Sequence, residues 1–520
     1  MYGQRIRFPP SFTSTLVLSF GLSVSAGTLA GDLVSMQELG KQLFFDKNLS
    51  EPKGRQSCAS CHDPKVGFTA PSRAVNLLGG VMPGAIPIRF GPRKPPTASY
   101  ATLSADFDPT GGFGGAPIGG TFWDGRATGN VVTTRIFPGA WSGMPLWDEM
   151  AAKDSAAVDQ AMGPFLNDVE MNLPSAVVLC ERVAAAGYAA LWQQAWDEPI
   201  NCSTARAPVA AADGLADLTH AELTHQRIAF AIGVFEDTLN TLSSRRDFAL
   251  LSDADGAFPL DDFTPEENLG HDEFYNRTNG CARFCHSSSI RADGTLPEEL
   301  YTPADGSGYF NLGGPRNPFN PFYLMRLVRD DNGNPINPDG RNFVDLGLGG
   351  RDDDKDGVPD FPGEEGKFKI PTMRNLFTEK FPRAYFHNGY FKSIEGVIHF
   401  YNTRDMKPVC IDRRGNPQKF VTESQALKRG CWPLPEVAEN IFGCNAGENC
   451  KVVLAEGETF ETWCANPDNP RDIGNLCLSA EQENAIVAYL KTLTDTITIS
   501  PPKGRPNKVK PPKREKRARR

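Results

Sequence analysis

Long apolar runs are scarce in this chain of 520 residues. Past a short run at Leu16–Val24 no stretch reaches 18 apolar residues, about the length at which a spanning helix becomes the natural reading. A polytopic membrane protein is excluded, and no spanning segment is expected once the amino-terminal segment is removed. Hydrophobic residues make up 40% and charged residues 22%, which excludes a chain disordered throughout. Basic charge is short in the body. Residues 501–520 carry ten Lys/Arg and one Glu, and residues 1–31 carry two Arg and no acid, so the stretch between stands at −20 against −9 for the whole chain. Nucleic acid is therefore excluded as the main partner, whereas a basic protein would be attracted at salt-sensitive rates. Histidine is rare, with seven in all, none of them between His62 and His220.

What is abundant points to loops. Gly and Pro together are about 18% of the residues, against a usual sum of roughly 12%. Roughly 150 residues per domain gives two to four domains. Arg5 and Arg7 precede the short apolar run, and Val24-Ser25-Ala26 offers a cleavage site, with Thr28-Leu29-Ala30 as a second choice. Residues 1–30 read as a signal peptide, and the protein as periplasmic or otherwise exported; an uncleaved anchor is the alternative. Residues 501–520 read as a disordered basic tail, either solubilising or in contact with anionic lipid or polymer.

Twelve cysteines in an exported chain need a chemical reason. Eight of them, Cys180, Cys202, Cys410, Cys431, Cys444, Cys450, Cys464 and Cys477, are expected in up to four disulfides, Cys180 with Cys202 among them. The six from Cys410 onward would staple a loop-rich insertion over 404–477. Zinc is the rival there, against which stands the lack of any histidine among them.

The other four form two haem-attachment clusters. In Cys58-Ala-Ser-Cys61-His62 the two thiols suit covalent addition to the vinyl groups of haem, and His62 reaches the iron. A zinc half-site or a disulfide is the alternative. Cys281-Ala-Arg-Phe-Cys285-His286 has three residues between its cysteines, a departure that changes where the sulfurs point. Its setting repeats that of the first cluster. Leu269-Gly270 and Phe274-Tyr275 precede it as Leu39-Gly40 and Phe44-Phe45 precede Cys58. This weak internal repeat predicts two cytochrome c-like units, each with an amphipathic helix over a haem face.

These clusters come with ordered companions: Phe122-Trp123-Asp124-Gly125-Arg126-Ala127, Val169-Glu170-Met171, Lys369 to Asn375, Tyr385 to Gly389 and a closing helix from Leu478 to Thr492. Together they resemble the di-haem cytochrome c peroxidase and MauG family over nearly all of residues 36–495, with 128–158 and 404–477 longer than usual. The resemblance implies a mainly α fold. It has an N-terminal cytochrome c-like domain over 31–250 with the peroxidatic haem, and a second over 251–500 with the electron-transfer haem. A helix over Gln226–Leu242 is expected to end the first domain, before the second begins near Thr264.

A haem that reacts with peroxide needs an open axial position and a distal group that moves a proton between the peroxide oxygens. The resemblance places Glu170 as that acid/base, Gln160 as the donor that positions peroxide, and Trp123 between the haems as an electron relay. The lack of histidine between Asp63 and Val158 predicts a first haem that is open without reductive activation; a Met or a distant His could still close it. For the second haem, counting from Tyr385 to Gly389 puts the family's sixth ligand on Tyr401, with Met406 and His399 as competitors and His387 beside the haem without ligating it. Tyr here resembles MauG-type enzymes, whereas Met is the conventional residue. A phenolate favours oxidised iron, so the pair would share oxidising equivalents.

Calcium is a further expectation. The family's inter-haem site uses an Asn where this chain has Lys94, whose ammonium cannot ligate a cation; backbone oxygens of Lys369 and Pro371 remain. Asp352, Asp354, Asp356 and Asp360, with Gly357, have part of the spacing of a calcium loop; a solvated acidic turn is the alternative. The expected function is a peroxide-dependent oxidation of a protein partner. A conventional peroxidase fed by a small c-type cytochrome stands second, and a non-catalytic di-haem carrier third.

Overall fold

The computed structural model describes residues 32–502 apart from 113–114, 133–135, 139–140, 142–143, 209–217, 253–257, 277–284, 287–307, 378–382, 439–451, 453, 467, 470 and 498. The expected signal peptide, the basic tail, Cys281, Cys444 and Cys450 lie outside the described residues.

Thirteen α-helices stand among the described residues: α1 (Leu33–Phe45), α2 (Cys58–Cys61), α3 (Arg73–Leu77), α4 (Pro145–Leu166), α5 (Ala176–Ala184), α6 (Ala189–Trp196), α7 (His220–Asp237), α8 (Arg245–Ser252), α9 (Pro265–Phe274), α10 (Ile394–Thr403), α11 (Glu423–Arg429), α12 (Phe460–Ala465) and α13 (Ala480–Lys491). One antiparallel pair, β1 (Tyr309–Phe310) with β2 (Phe368–Lys369), sets Tyr309 opposite Lys369. The fold is mainly helical, with long connecting loops.

Two helix pairs organise the molecule. Helix α1 buries Met36, Leu39, Gly40, Leu43 and Phe44, the spacing of a single apolar stripe. That stripe lies on α7, which is buried on nearly every side and opens with a capping box between Thr219 and Glu222. The helices meet at Gly40, where a Cβ would stand 1.8 Å from the Ala231 carbonyl oxygen and 2.9 Å from Phe235 Cβ. Helix α9 meets α13 in the same way. A Cβ at Gly270 would stand 1.9 Å from the Ala485 carbonyl oxygen and 2.9 Å from Tyr489 Cβ. Only glycine permits such an approach. Both partner helices also end alike, since Thr238 Oγ1 donates to the Phe235 carbonyl at 2.6 Å and Thr492 Oγ1 to that of Tyr489 at 2.7 Å.

The helix expected over Gln226–Leu242 spans His220–Asp237 instead. The capping box sets its start earlier, and Leu242 has a left-handed backbone with φ 41°, which no helix continues.

One apolar core runs from Met36 to Leu239 and a second from Ala249 to Leu493. In the first, Trp141 is stacked between Trp147 at 4.7 Å and Trp196 at 5.3 Å, with interplanar angles of 14° and 9°. A third cluster joins Phe391, Phe400 and Trp432 around Cys410 and Cys431. Disulfides Cys180–Cys202, Cys410–Cys431 and Cys464–Cys477 are present. The first pairing is the expected one, and the other two settle four of the six insertion cysteines against zinc. Arg374 pairs with Asp247 at 2.6 Å, both fully buried, and Arg93 bridges Asp124 at 2.5 Å and Asp345 at 2.7 Å. The Arg93–Asp345 pair ties a loop of the first core's sequence to one of the second's.

Candidate functional site

One continuous cavity runs between the two helix pairs. It leaves about 370 Å³ open to the centre of a water molecule, and its wall includes Cys58, Cys61, His62, Trp123, Gln160, Glu170, Cys285, His286 and Tyr401.

The end near His62 is built by a single helical turn. Ser57 and Ser60 form a capping box around α2, and His62 caps its other end, with its amide donating to the Cys58 carbonyl at 2.8 Å. Cys58 and Cys61 are free thiols while six other described cysteines are paired. Gln56 Nε2 lies 3.0 Å from Cys61 Sγ. Burial, helped by Glu170, pushes the Cys61 thiol up to about 12, and burial with Glu236 pushes Cys58 up as well. His62 Nδ1 is 3.0 Å from the Phe68 carbonyl oxygen, so Nδ1 donates and Nε2 is left for a metal. Burial lowers its pKa to about 4, keeping the ring neutral, the form that ligates.

Gln160 and Glu170 come from the last turns of α4 and the turn that follows it. Asp159 accepts from the amides of Gly129, Val131 and Val132 at 2.7, 3.0 and 2.9 Å. It thereby pins the long 128–158 stretch beside its neighbour Gln160. After Leu166 the chain turns through Asn167, whose carbonyl accepts from the Glu170 amide at 3.0 Å. The Glu170 carbonyl accepts from Ala85 at 2.6 Å. Gln160 and Glu170 are thus brought to one wall. Burial raises the pKa of Glu170, and the nearby Arg126 guanidinium opposes the rise. Arg126 lies over the Phe122 ring at 3.8 Å and donates to Asp124 at 2.9 Å.

Trp123 stands at the middle. Its Nε1 donates to the Lys94 carbonyl at 2.8 Å, and its own carbonyl accepts from Lys369 N at 2.9 Å. The Lys94 amide in turn donates to the His387 carbonyl at 2.7 Å. Lys94 Nζ donates to Thr69 Oγ1 and the Pro95 carbonyl, each at 3.0 Å, and burial lowers its pKa to about 7, with Arg383 and Lys392 adding to the shift.

Cys285 and His286 line the cavity as well. The His286 ring is 5.9 Å from that of Phe274 on α9, and burial lowers its pKa to about 4. Of the three competing ligands only Tyr401, on α10, lines the cavity. His399 has Nδ1 at 3.1 Å from Glu483 and Nε2 against Lys407 Nζ, so both ring nitrogens are engaged with protein. Met406 is not on the wall. His387 is, stacked on Phe368 at 3.5 Å, with Glu436 3.8 Å from Nε2, beyond hydrogen-bond reach.

Half-buried cysteines, with a histidine of lowered pKa next in sequence to Cys61 and to Cys285, on the wall of a largely apolar cavity suit two c-type haems. The family model for di-haem cytochrome c peroxidase matches residues 35–255. The methylamine utilization protein MauG of Paracoccus denitrificans is 28% identical over 465 residues, 89% of each chain. Over most of its length the chain is thus similar to di-haem cytochrome c peroxidases and MauG. Cytochrome-c peroxidase IdrP2 of Denitromonas iodatirespirans is 25% identical over 71% of this chain and 73% of its own. The crystal structure of the diheme peroxidase BthA from Burkholderia thailandensis shares the fold, with a TM-score of 0.54 and 23% identity over 89% of this chain and 86% of that one.

For this di-haem peroxidase the family implies two c-type haems. If haems are bound, His62 and His286 would be the nitrogen donors to iron, and Cys58, Cys61 and Cys285 the described thiols beside them. The carrier reading gives way, because the matching family model is that of a peroxidase and IdrP2 is named one. Sequence reasoning passed over Arg126 and Glu236, which line the cavity. Arg126 stood inside a quoted motif, and its nearness to Glu170 is tertiary. Carboxylates of Asp352, Asp354 and Asp356 lie within 4.8 Å of one another; Asp360 is outside that group, and its carboxylate accepts from the Asp353 amide at 2.7 Å.

Proposed function

We propose that this peroxidase uses hydrogen peroxide to oxidise a protein partner, as a MauG-type enzyme, from the periplasm or another exported location. The observation that carries the reading is Tyr401. It shares the cavity wall with His286, whereas His399 is held by Glu483 and Lys407. Phenolate is a hard anionic ligand that favours oxidised iron. The haems, when bound, supply the redox chemistry that accepts two oxidising equivalents from peroxide.

The chain's own residues supply the rest. Gln160 orients peroxide by hydrogen bonding. The Glu170 carboxylate takes the proton from one peroxide oxygen and returns it to the other, so that water leaves. Burial makes that carboxylate a stronger base than usual. Arg126 holds positive charge beside it, and Trp123 relays electrons across the middle of the cavity. The domains are proposed as 31–250 and 251–500, each with one haem. We also propose Asp352, Asp354 and Asp356 as a calcium loop, to be tested by a chelator's effect on melting temperature.

The acidic body of −20 supports a second reading, in which a basic c-type cytochrome feeds electrons and peroxide ends as water. Low-temperature EPR of the ferric protein separates an open haem, seen as a high-spin signal, from two closed ones. Peroxide added without prior reduction then gives a long-lived oxidised state under the first reading only. Tyr401→Phe abolishes that state and alters the second haem's spectrum; an unchanged spectrum sinks Tyr401 as ligand.

A further inference from the structure

The two helix pairs superpose in sequence register. Ala231 and Phe235 of α7 take the places that Ala485 and Tyr489 of α13 take against the crossing glycine. The threonine caps, Thr238 and Thr492, bond back three residues in both. Phe235-Glu236-Asp237-Thr238-Leu239 therefore corresponds to Tyr489-Leu490-Lys491-Thr492-Leu493. At the second position of this segment the halves part. Glu236 and Leu490 are both buried, 4% and 2% exposed, and both line the cavity.

We infer that Glu236 is a charge-tuning residue that lowers the midpoint potential of the first haem and has no counterpart at the second. The inference rests on the two-haem reading above and asks what makes its two sites unequal. Glu236 lies close enough to Cys58 to act on that thiol electrostatically, so its carboxylate stands near the edge where a haem would be tethered. In a buried, weakly screened site a negative charge stabilises the extra positive charge of oxidised iron. Leu490 supplies no such charge at the equivalent place. The first site is thereby biased toward oxidised iron without a change in its histidine ligand. Because Glu236 belongs to α7, one of the most buried helices, its distance from the haem edge is fixed by the Gly40 crossing and not by a loop.

The test is spectroelectrochemical titration of the purified two-haem protein. Glu236→Gln raises the midpoint of the first haem and leaves the second in place, with the ferric spectra of both unchanged. An unshifted first midpoint, or equal shifts at both haems, overturns the inference. If E236Q does not mature, Glu236→Leu, which copies the side chain of the second half, is read by the same criterion; failure of both to mature assigns Glu236 to folding and overturns it too. A protein carrying one haem by mass sinks the two-haem reading, whereas an unshifted midpoint in a two-haem protein sinks this inference alone.

Discussion

The α1/α7 and α9/α13 pairs are the same device used twice, yet their surroundings differ. Each crosses at a glycine against a carbonyl, and each half contributes a cysteine and the histidine after it to the cavity wall. Around the first pair stand Gln160, Glu170 and Arg126, the groups proposed above to bind peroxide and move its proton. Around the second stand Tyr401 and a wall joined to the Cys410–Cys431 staple. The contrast teaches that backbone packing fixes where a haem can sit, and a few side chains reached from loops decide what it does. Because the crossings are alike, changing one half and leaving the other untouched separates packing from chemistry.

The largest expected effect falls on the first half alone. Glu170→Gln lowers kcat/KM for peroxide by about 10²- to 10⁴-fold, the usual range for a lost general base, while both haem spectra persist. A loss below tenfold in steady-state assays would remove Glu170 from the proton path. The pH profile sharpens this. The active form of Glu170 is the carboxylate and its pKa is raised, so kcat/KM climbs with pH through a group above the ordinary carboxylate range. In Glu170→Gln that limb disappears.

Packing changes come next and should not respect the chemistry. Gly40→Val and Gly270→Val each destabilise by about 3 kcal/mol or more, the upper part of the overpacking range, read by chemical denaturation. If one is tolerated, the two crossings are not equivalent. Breaking Cys180–Cys202 by double substitution to Ala costs about 3 kcal/mol, in the first core only. Smallest is Thr492→Val, which removes one buried cap hydrogen bond and costs about 1 kcal/mol, with Thr238→Val as its counterpart.

Much of this organisation is legible in the chain itself. The apolar spacing of Met36 to Phe44, the Leu-Gly and Phe-Phe/Tyr repeat before each cluster, and the isolated pair Cys180 and Cys202 are local signals. Gln160 and Glu170 could be paired only through the family resemblance, because a turn at Asn167 folds one back beside the other. The start of α7 was misjudged because its capping box precedes the strongly apolar segment. Arg126 lies inside a quoted motif, yet neither it nor Glu236 carries a local mark of what it stands beside. Each gains its meaning from a neighbour distant in sequence, Glu170 for one and Cys58 for the other. Within the insertion, six cysteines allow 15 pairings, and spacing alone does not choose between them.

The three stacked indoles of the first core have a use of their own. Parallel rings at 4.7 and 5.3 Å couple their excited states, so Trp141 with its two neighbours should produce a paired near-ultraviolet circular dichroism signal that isolated tryptophans lack. That signal belongs to one half of the molecule and to no haem, which makes it an optical gauge of whether the first core is assembled before its porphyrin arrives.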